Sequence, residues 1–203
     1  MSDSAEHDRA ANSLRQLLHA ARVDMPQVTS FLDGLSPAAR LHATLELGGR
    51  EQRALWLAAQ RVHEITTEHL VPSGLAAETT VRHFGRNTLP AFTRFEKRFF
   101  RTAQGDTFGA NFQTMSPLTG PGYFRVLARP EQRELLLDSA RAGLPERGPA
   151  GWPAVVPNER GFSRFVYGFL VDHLRRVSEH VSIGEPVRNG KPLGSWFILC
   201  RES

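Results

Sequence analysis

Two hydrophobic patterns divide the chain. Up to about residue 80 apolar residues recur at helical spacing, beginning with Leu14, Leu17, Leu18 and Ala21 on one face. Ser36-Pro37 predicts a helix start. The Ser hydroxyl can accept from free backbone N–H groups, and Pro in the first turn gives up no hydrogen bond. Leu41 and Leu45 carry that stripe towards Gly48-Gly49, and a third helix is predicted over about 50–62, through Leu55, Ala58 and Val62. Amphipathic helices this short are marginal alone, so they need a partner surface, either the rest of the chain or a second protein.

Beyond residue 90 the period becomes two. Phe108, Ala110 and Phe112 alternate with Gly109 and Asn111, and Val181, Ile183 and Val187 alternate with Ser182, Gly184 and Pro186. Such alternation fits strands with one buried face. Asn189-Gly190 is the residue pair best suited to a tight hairpin, because both tolerate positive φ. The returning segment 195–200 is apolar on both faces and belongs at a covered position. Gln104-Gly105-Asp106 predicts a turn between strands over 92–101 and 107–114, and Arg129-Pro130-Glu131 another between 123–128 and 134–139. The segment 162–181 allows either element. The spacing of Phe165, Phe169, Val177 and Val181 favours a helix packed on the sheet, while 164–167 also reads as a strand.

The fold class these patterns predict is α+β: a helical N-terminal part packed on a mainly antiparallel, about six-stranded curved sheet or small barrel. Residues 1–9 read as a flexible tail, 10–80 as the helical region, and 81–203 as the β-rich domain. Within that domain, 143–161 is a long loop in which eight of nineteen residues are Gly or Pro. Trp152 in this loop needs an explanation. Leaving it exposed would forfeit about 2–3 kcal/mol of burial free energy, so it should pack on the β-rich part. It would then be either a strap over a cavity or a clamp over solid core.

Composition adds little to this picture. Twelve of thirteen Phe lie after residue 80, which places the main core there. Charge is uneven: residues 1–80 carry a formal −3 and residues 81–203 a formal +7. No block of like charges accompanies the excess, and 23 of the 25 basic residues are Arg, so nucleic acid is not the partner indicated. No apolar run approaches the roughly 20 residues that span a bilayer. The single Cys200 can form no intrachain disulfide, in keeping with a reducing, cytoplasmic setting.

Candidate chemistry is sparse. His63-Glu64 with His69 misses the spacing of a zinc-protease helix, because position 67 is Thr. His173 and His180, seven apart, could share a helical face and Cys200 could supply sulfur, but nothing in the sequence places them together, so no metal site is assigned. Cys200 lies in the most apolar strand and reads as an inert, buried thiol. The segment Thr119-Gly120-Pro121-Gly122-Tyr123 lacks the Lys of a phosphate loop and leads into a strand. No catalytic residue and no cofactor is specified.

Polar clusters supply the candidate ligand-binding residues. They are His83, Arg86 and Asn87 before the first expected strand, Glu96 and Arg98 flanking Lys97 within it, and Trp152, Asn158 and Glu159 on the long loop. If the sheet closes, an inward Glu96–Arg98 pair would need further polar partners. The leading functional expectation is a small-molecule-binding β-rich domain. One rival is an enzyme acting on a small anionic substrate by acid–base chemistry, using Glu96, His83 or His180. Another is an interaction module whose N-terminal helices dock a partner or a second copy.

Overall fold

The computed structural model describes residues 3–112, 122–139, 143–155 and 170–202. Five helices come first: α1 (Asp3–His19), α2 (Met25–Asp33), α3 (Pro37–Leu45), α4 (Gly49–Ala58) and the single turn α5 (Thr67–Leu70). Nine strands follow: β1 (Val81–Asn87), β2 (Arg94–Arg101), β3 (Thr107–Phe112), β4 (Tyr123–Arg129), β5 (Glu134–Asp138), β6 (Leu170–Arg176), β7 (Val181–Arg188), the short β8 (Lys191–Pro192) and β9 (Phe197–Arg201).

Helix starts follow local chemistry. Asp24 caps α2 by accepting from the Gln27 N–H, and Ser36 caps α3 by accepting from the Ala39 N–H, in each case with Pro in the first turn. At α4 the Glu51 carboxylate reaches back to accept the Gly48 N–H at 3.0 Å. The segment expected as a tail is already helical from Asp3. Helices α2 and α5 went unpredicted.

Eight strands, all paired antiparallel, close into a barrel. Each of β1 to β6 pairs with its neighbours in sequence, β6 with β7, β7 with β9, and β9 with β1; β8 extends only β7. The α+β class with a small barrel is therefore the architecture, with more strands than the six expected. The extra strands are β1 and β6. Over Leu170–Arg176 the helix reading of 162–181 is overturned. The alternation of Leu170, Asp172 and Leu174 with outward residues meets β5 on one side and β7 on the other. The 162–169 part of that reading lies outside the described residues.

Closure makes two cores. Inside the barrel, Val81, Phe99, Phe124, Val126, Leu135, Leu137, Leu174, Phe197 and Leu199 pack together, with Ile65, Leu70 and Val71 plugging one end. Outside it, Leu14, Leu18, Val28, Leu32, Leu47, Leu55 and Trp56 of the helices pack on the outward residues Val181, Ile183, Ile198 and Cys200. Strand β9 thus serves both cores, and that is why 195–200 is apolar on both faces. Cys200 is buried and desolvation raises its thiol pKa, as expected of an inert cysteine. Asn189-Gly190 makes the two-residue turn with φ of 51° and 75°.

Candidate ligand-binding site

An eight-stranded barrel is just wide enough to be filled by side chains or to hold one small ligand. This barrel does one at each end. At the end plugged by α5, the inward residues are large and close-packed. His83 lies among them, fully buried, its ring edge-on to Phe99 at 4.8 Å. Its Nε2 sits 3.0 Å from the Leu70 carbonyl, so Nε2 carries the proton and donates. Burial pushes this imidazole down to about 3, against the pull of the Leu70 carbonyl and with help from Arg201 and His180, so it is neutral near pH 7.

At the other end a cavity of about 330 Å³ opens. Its walls are Phe95, Leu170, Pro186, Trp196 and Phe197, and Leu89, Leu193, Ser195 and Arg188 also line it. Three of the large apolar residues exposed to solvent lie around this opening: Leu89, Leu193 and Phe92, the last in the β1–β2 loop with its carbonyl held by Asn87.

The polar floor is built by cross-strand register. Phe95, Lys97 and Phe99 alternate inward on β2, and Lys97 faces Asn111 of β3 directly. Asp172 arrives from β6, 75 residues away in sequence. The Lys97 ammonium donates to Asn111 Oδ1 at 2.7 Å and to Asp172 Oδ2 at 2.9 Å, with the two charged side chains only 5% and 10% exposed. Asn111 Nδ2 in turn donates to the Gly122 carbonyl. Three rings surround the same nitrogen: Phe124 at 4.8 Å, Phe197 at 5.2 Å and Phe95 at 5.8 Å from centroid to Nζ. Each ring lies over a glycine directly opposite on the next strand: Phe95 over Gly85, Phe124 over Gly109 and Phe197 over Gly184. A Cβ at any of these glycines would meet the ring, so the missing side chain is what lets it lie across the strand.

The residues singled out from sequence scatter. Asn87 lines the cavity and His83 is inward but belongs to the plugged end. Arg86, Glu96, Arg98 and Trp152 do not line it. Arg86 donates to the Leu45 carbonyl and docks α3 on the barrel. Glu96 is on the outer face between Arg82 at 2.8 Å and Arg98 at 2.6 Å. Burial works against that carboxylate, but these two cations outweigh it and hold its pKa low. Trp152 packs on the outward rings of Phe100, Phe112 and Tyr123 and donates to Thr80 Oγ1, so among the described residues it clamps aromatic core and does not line the open cavity. Asn158 and Glu159 lie outside the described residues.

The acid–base and metal candidates do not converge either. His173 pairs with Glu134 on the outer face at 3.0 Å, and His180 lies against Arg201. Among the described residues no group of three or more His, Cys, Asp or Glu is placed to hold a metal. The residues that sequence reasoning missed are Lys97, Asn111 and Asp172. A signal for the first existed: Phe95, Lys97 and Phe99 fall on one face, more apolar than the face bearing Glu96 and Arg98.

Comparisons with protein-family models, with curated proteins and with solved structures find no match for this chain. The site must be judged on its own chemistry. It offers an aromatic cleft with a charged but internally paired floor, and a rim that is apolar apart from Asn87, Ser195 and Arg188.

Proposed function

We propose that this protein binds a small, largely apolar organic molecule in the open end of its barrel. The observation that carries the reading is the contrast between the two ends: one interior is filled, the other leaves about 330 Å³ walled by Phe95, Trp196 and Phe197 above the Lys97–Asp172 pair. That volume sits at the small end of the range for ligand sites, and a few convergent polar groups in an apolar cleft are the usual composition of one. Exposed Leu89, Phe92 and Leu193 around the opening favour an apolar visitor. No helix among the described residues is long and apolar enough to cross a membrane. The buried free Cys200 suits a reducing compartment, and we place the protein in the cytoplasm.

The acid–base enzyme reading gains no support, since Glu96, His83 and His180 do not meet. The docking-helix reading is weakened because α1 to α4 already spend their main apolar faces on one another and on the barrel. The test uses Trp196 as reporter, in a variant with Trp56 and Trp152 changed to Phe whose fold is checked by circular dichroism. Titration with small aromatic and aliphatic compounds should shift or quench its emission saturably. No response to any compound, with calorimetry equally silent on the wild-type chain, would overturn the reading.

A further inference from the structure

We propose that Lys97 is a reacting amine, and that the cavity takes a small apolar aldehyde or ketone and holds it as an iminium on Lys97 Nζ. The proposal rests on the open end being a ligand site.

The choice of lysine is the first argument. The chain uses arginine almost throughout, with 23 Arg against Lys97 and Lys191. Among the described residues, every other ion pair between a carboxylate and a permanently basic side chain uses arginine: Glu46 with Arg94, Glu96 with Arg82 and Arg98, Asp106 with Arg125, Glu134 with Arg175. Arginine is the better residue for a buried ion pair, being planar, forked and permanently charged. At the cavity floor the sequence departs from its own habit. What lysine offers there and arginine does not is an amine that can give up a proton and bond to carbon.

The surroundings are the second argument. An iminium carries the same single positive charge as the ammonium it replaces. The three rings and Asp172 at 2.9 Å would therefore hold the iminium as well, Asp172 accepting its one remaining N–H while the bond to Asn111 Oδ1 is given up. The cavity walls supply apolar surface for the carbonyl compound's body, beside the nitrogen.

The chemistry balances with the residues present. The ammonium passes one proton to Asp172 Oδ2. The freed Nζ lone pair attacks the carbonyl carbon, a C–N bond forms, and the carbonyl π pair moves to oxygen, which takes the proton back from Asp172. A second N–H proton then passes through Asp172 to the new hydroxyl. The C–O bond breaks as the nitrogen lone pair forms C=N, and water leaves with the C–O pair. Ammonium plus carbonyl compound becomes iminium plus one water, with Asp172 restored and no oxidant or reductant consumed.

The experiment incubates the full chain with naphthaldehyde and sodium cyanoborohydride, then maps the reduced adduct by mass spectrometry. Calorimetry with naphthylmethanol, which can bind but cannot condense, measures non-covalent binding separately. Exposed Lys191 is the internal control. Held beside the carbonyl group, Lys97 should be labelled at least roughly ten-fold above Lys191. Naphthylmethanol should suppress the Lys97 adduct. Lys97→Arg, if folded by circular dichroism, should lose the adduct; if it does not fold, mapping on the wild-type chain decides. Labelling confined to Lys191 or the N-terminus, while naphthylmethanol binds, would overturn the amine proposal and leave the cavity reading standing. Neither labelling of Lys97 nor binding of naphthylmethanol would sink both.

Discussion

His83 and Lys97 stand opposite each other on neighbouring strands, both facing the barrel interior, and the two ends of the barrel treat them in opposite ways. His83 is packed towards the plugged end, where burial against Phe99 and the nearby positive charge of Arg201 outweigh the pull of one backbone carbonyl, and it gives up its charge. Lys97 lies towards the open end, where a carboxylate, an amide and three ring faces receive it as one half of an ion pair. A small barrel can thus be structural core towards one end and binding chemistry towards the other, because two inward side chains paired across neighbouring strands can reach towards different ends.

The largest effect should come from separating the ion pair. Asp172→Ala leaves the Lys97 ammonium buried beside aromatic rings without its carboxylate, and removing one partner of a buried pair typically costs about 3–5 kcal/mol. Lys97→Met combined with Asp172→Leu should be far milder, because no charge is then stranded. Urea denaturation of the three proteins checks this; equal midpoints for the single and double variants would show that the pair does not act as a unit.

Acid should expose the other end. Unfolded, His83 takes a proton near its ordinary 6.5, but folded only near about 3. Between those values the unfolded chain binds more protons, so stability falls as pH falls through that window. At about pH 4 the loss from His83 alone is about 3 kcal/mol. His69, also lowered by burial first and by neighbouring positive charge after it, acts in the same direction. His83→Gln should therefore lose less stability between neutral pH and about pH 4 than the wild type does. Parallel losses would mean that water reaches His83 in the folded protein.

Overfilling the open end should cost less. Gly184→Ala puts a methyl group into the space that the Phe197 ring occupies, and such overpacking typically costs about 1–3 kcal/mol. The displaced ring should also narrow the cavity and weaken whatever binds there, as calorimetry with naphthylmethanol would read. Smallest of all, Gly190→Val forces a β-branched residue to φ near 75°, at a cost of about 1 kcal/mol or more, with no change in binding because Gly190 lies outside the cavity. An unchanged denaturation midpoint would argue against that turn.

Much of the fold was legible in the sequence because local chemistry carried it. The Ser36-Pro37 start, the Asn189-Gly190 turn and the two-faced strand at 195–200 each depend on neighbours in sequence. Strand β1 was illegible for the opposite reason. Its inward positions are Val81, His83, Gly85 and Asn87, while Phe84 points outward, so its alternation runs against the usual code. Strand β6 hid similarly behind Asp172, whose burial makes sense only beside Lys97. The site suffered most. Its floor joins β2, β3 and β6, and no spacing rule relates positions 97, 111 and 172. Glu96 and Arg98 drew attention as the polar flanks of β2, yet the outward face is where a strand normally keeps its charges.

Barrel closure also sets a schedule for biosynthesis. Asn87 pairs with Phe197, so strand β1 leaves the ribosome roughly 110 residues before the partner that seals it. At about 5–20 residues per second that is a wait of roughly 5–20 s. The helices wait longer still, because Ile198 and Cys200 complete the surface on which they pack. Throughout that interval an aromatic sheet face and four amphipathic helices stand uncovered. A nascent chain of this kind is one that chaperones should recognise, and slowing translation just ahead of β9 should lower its yield of native protein.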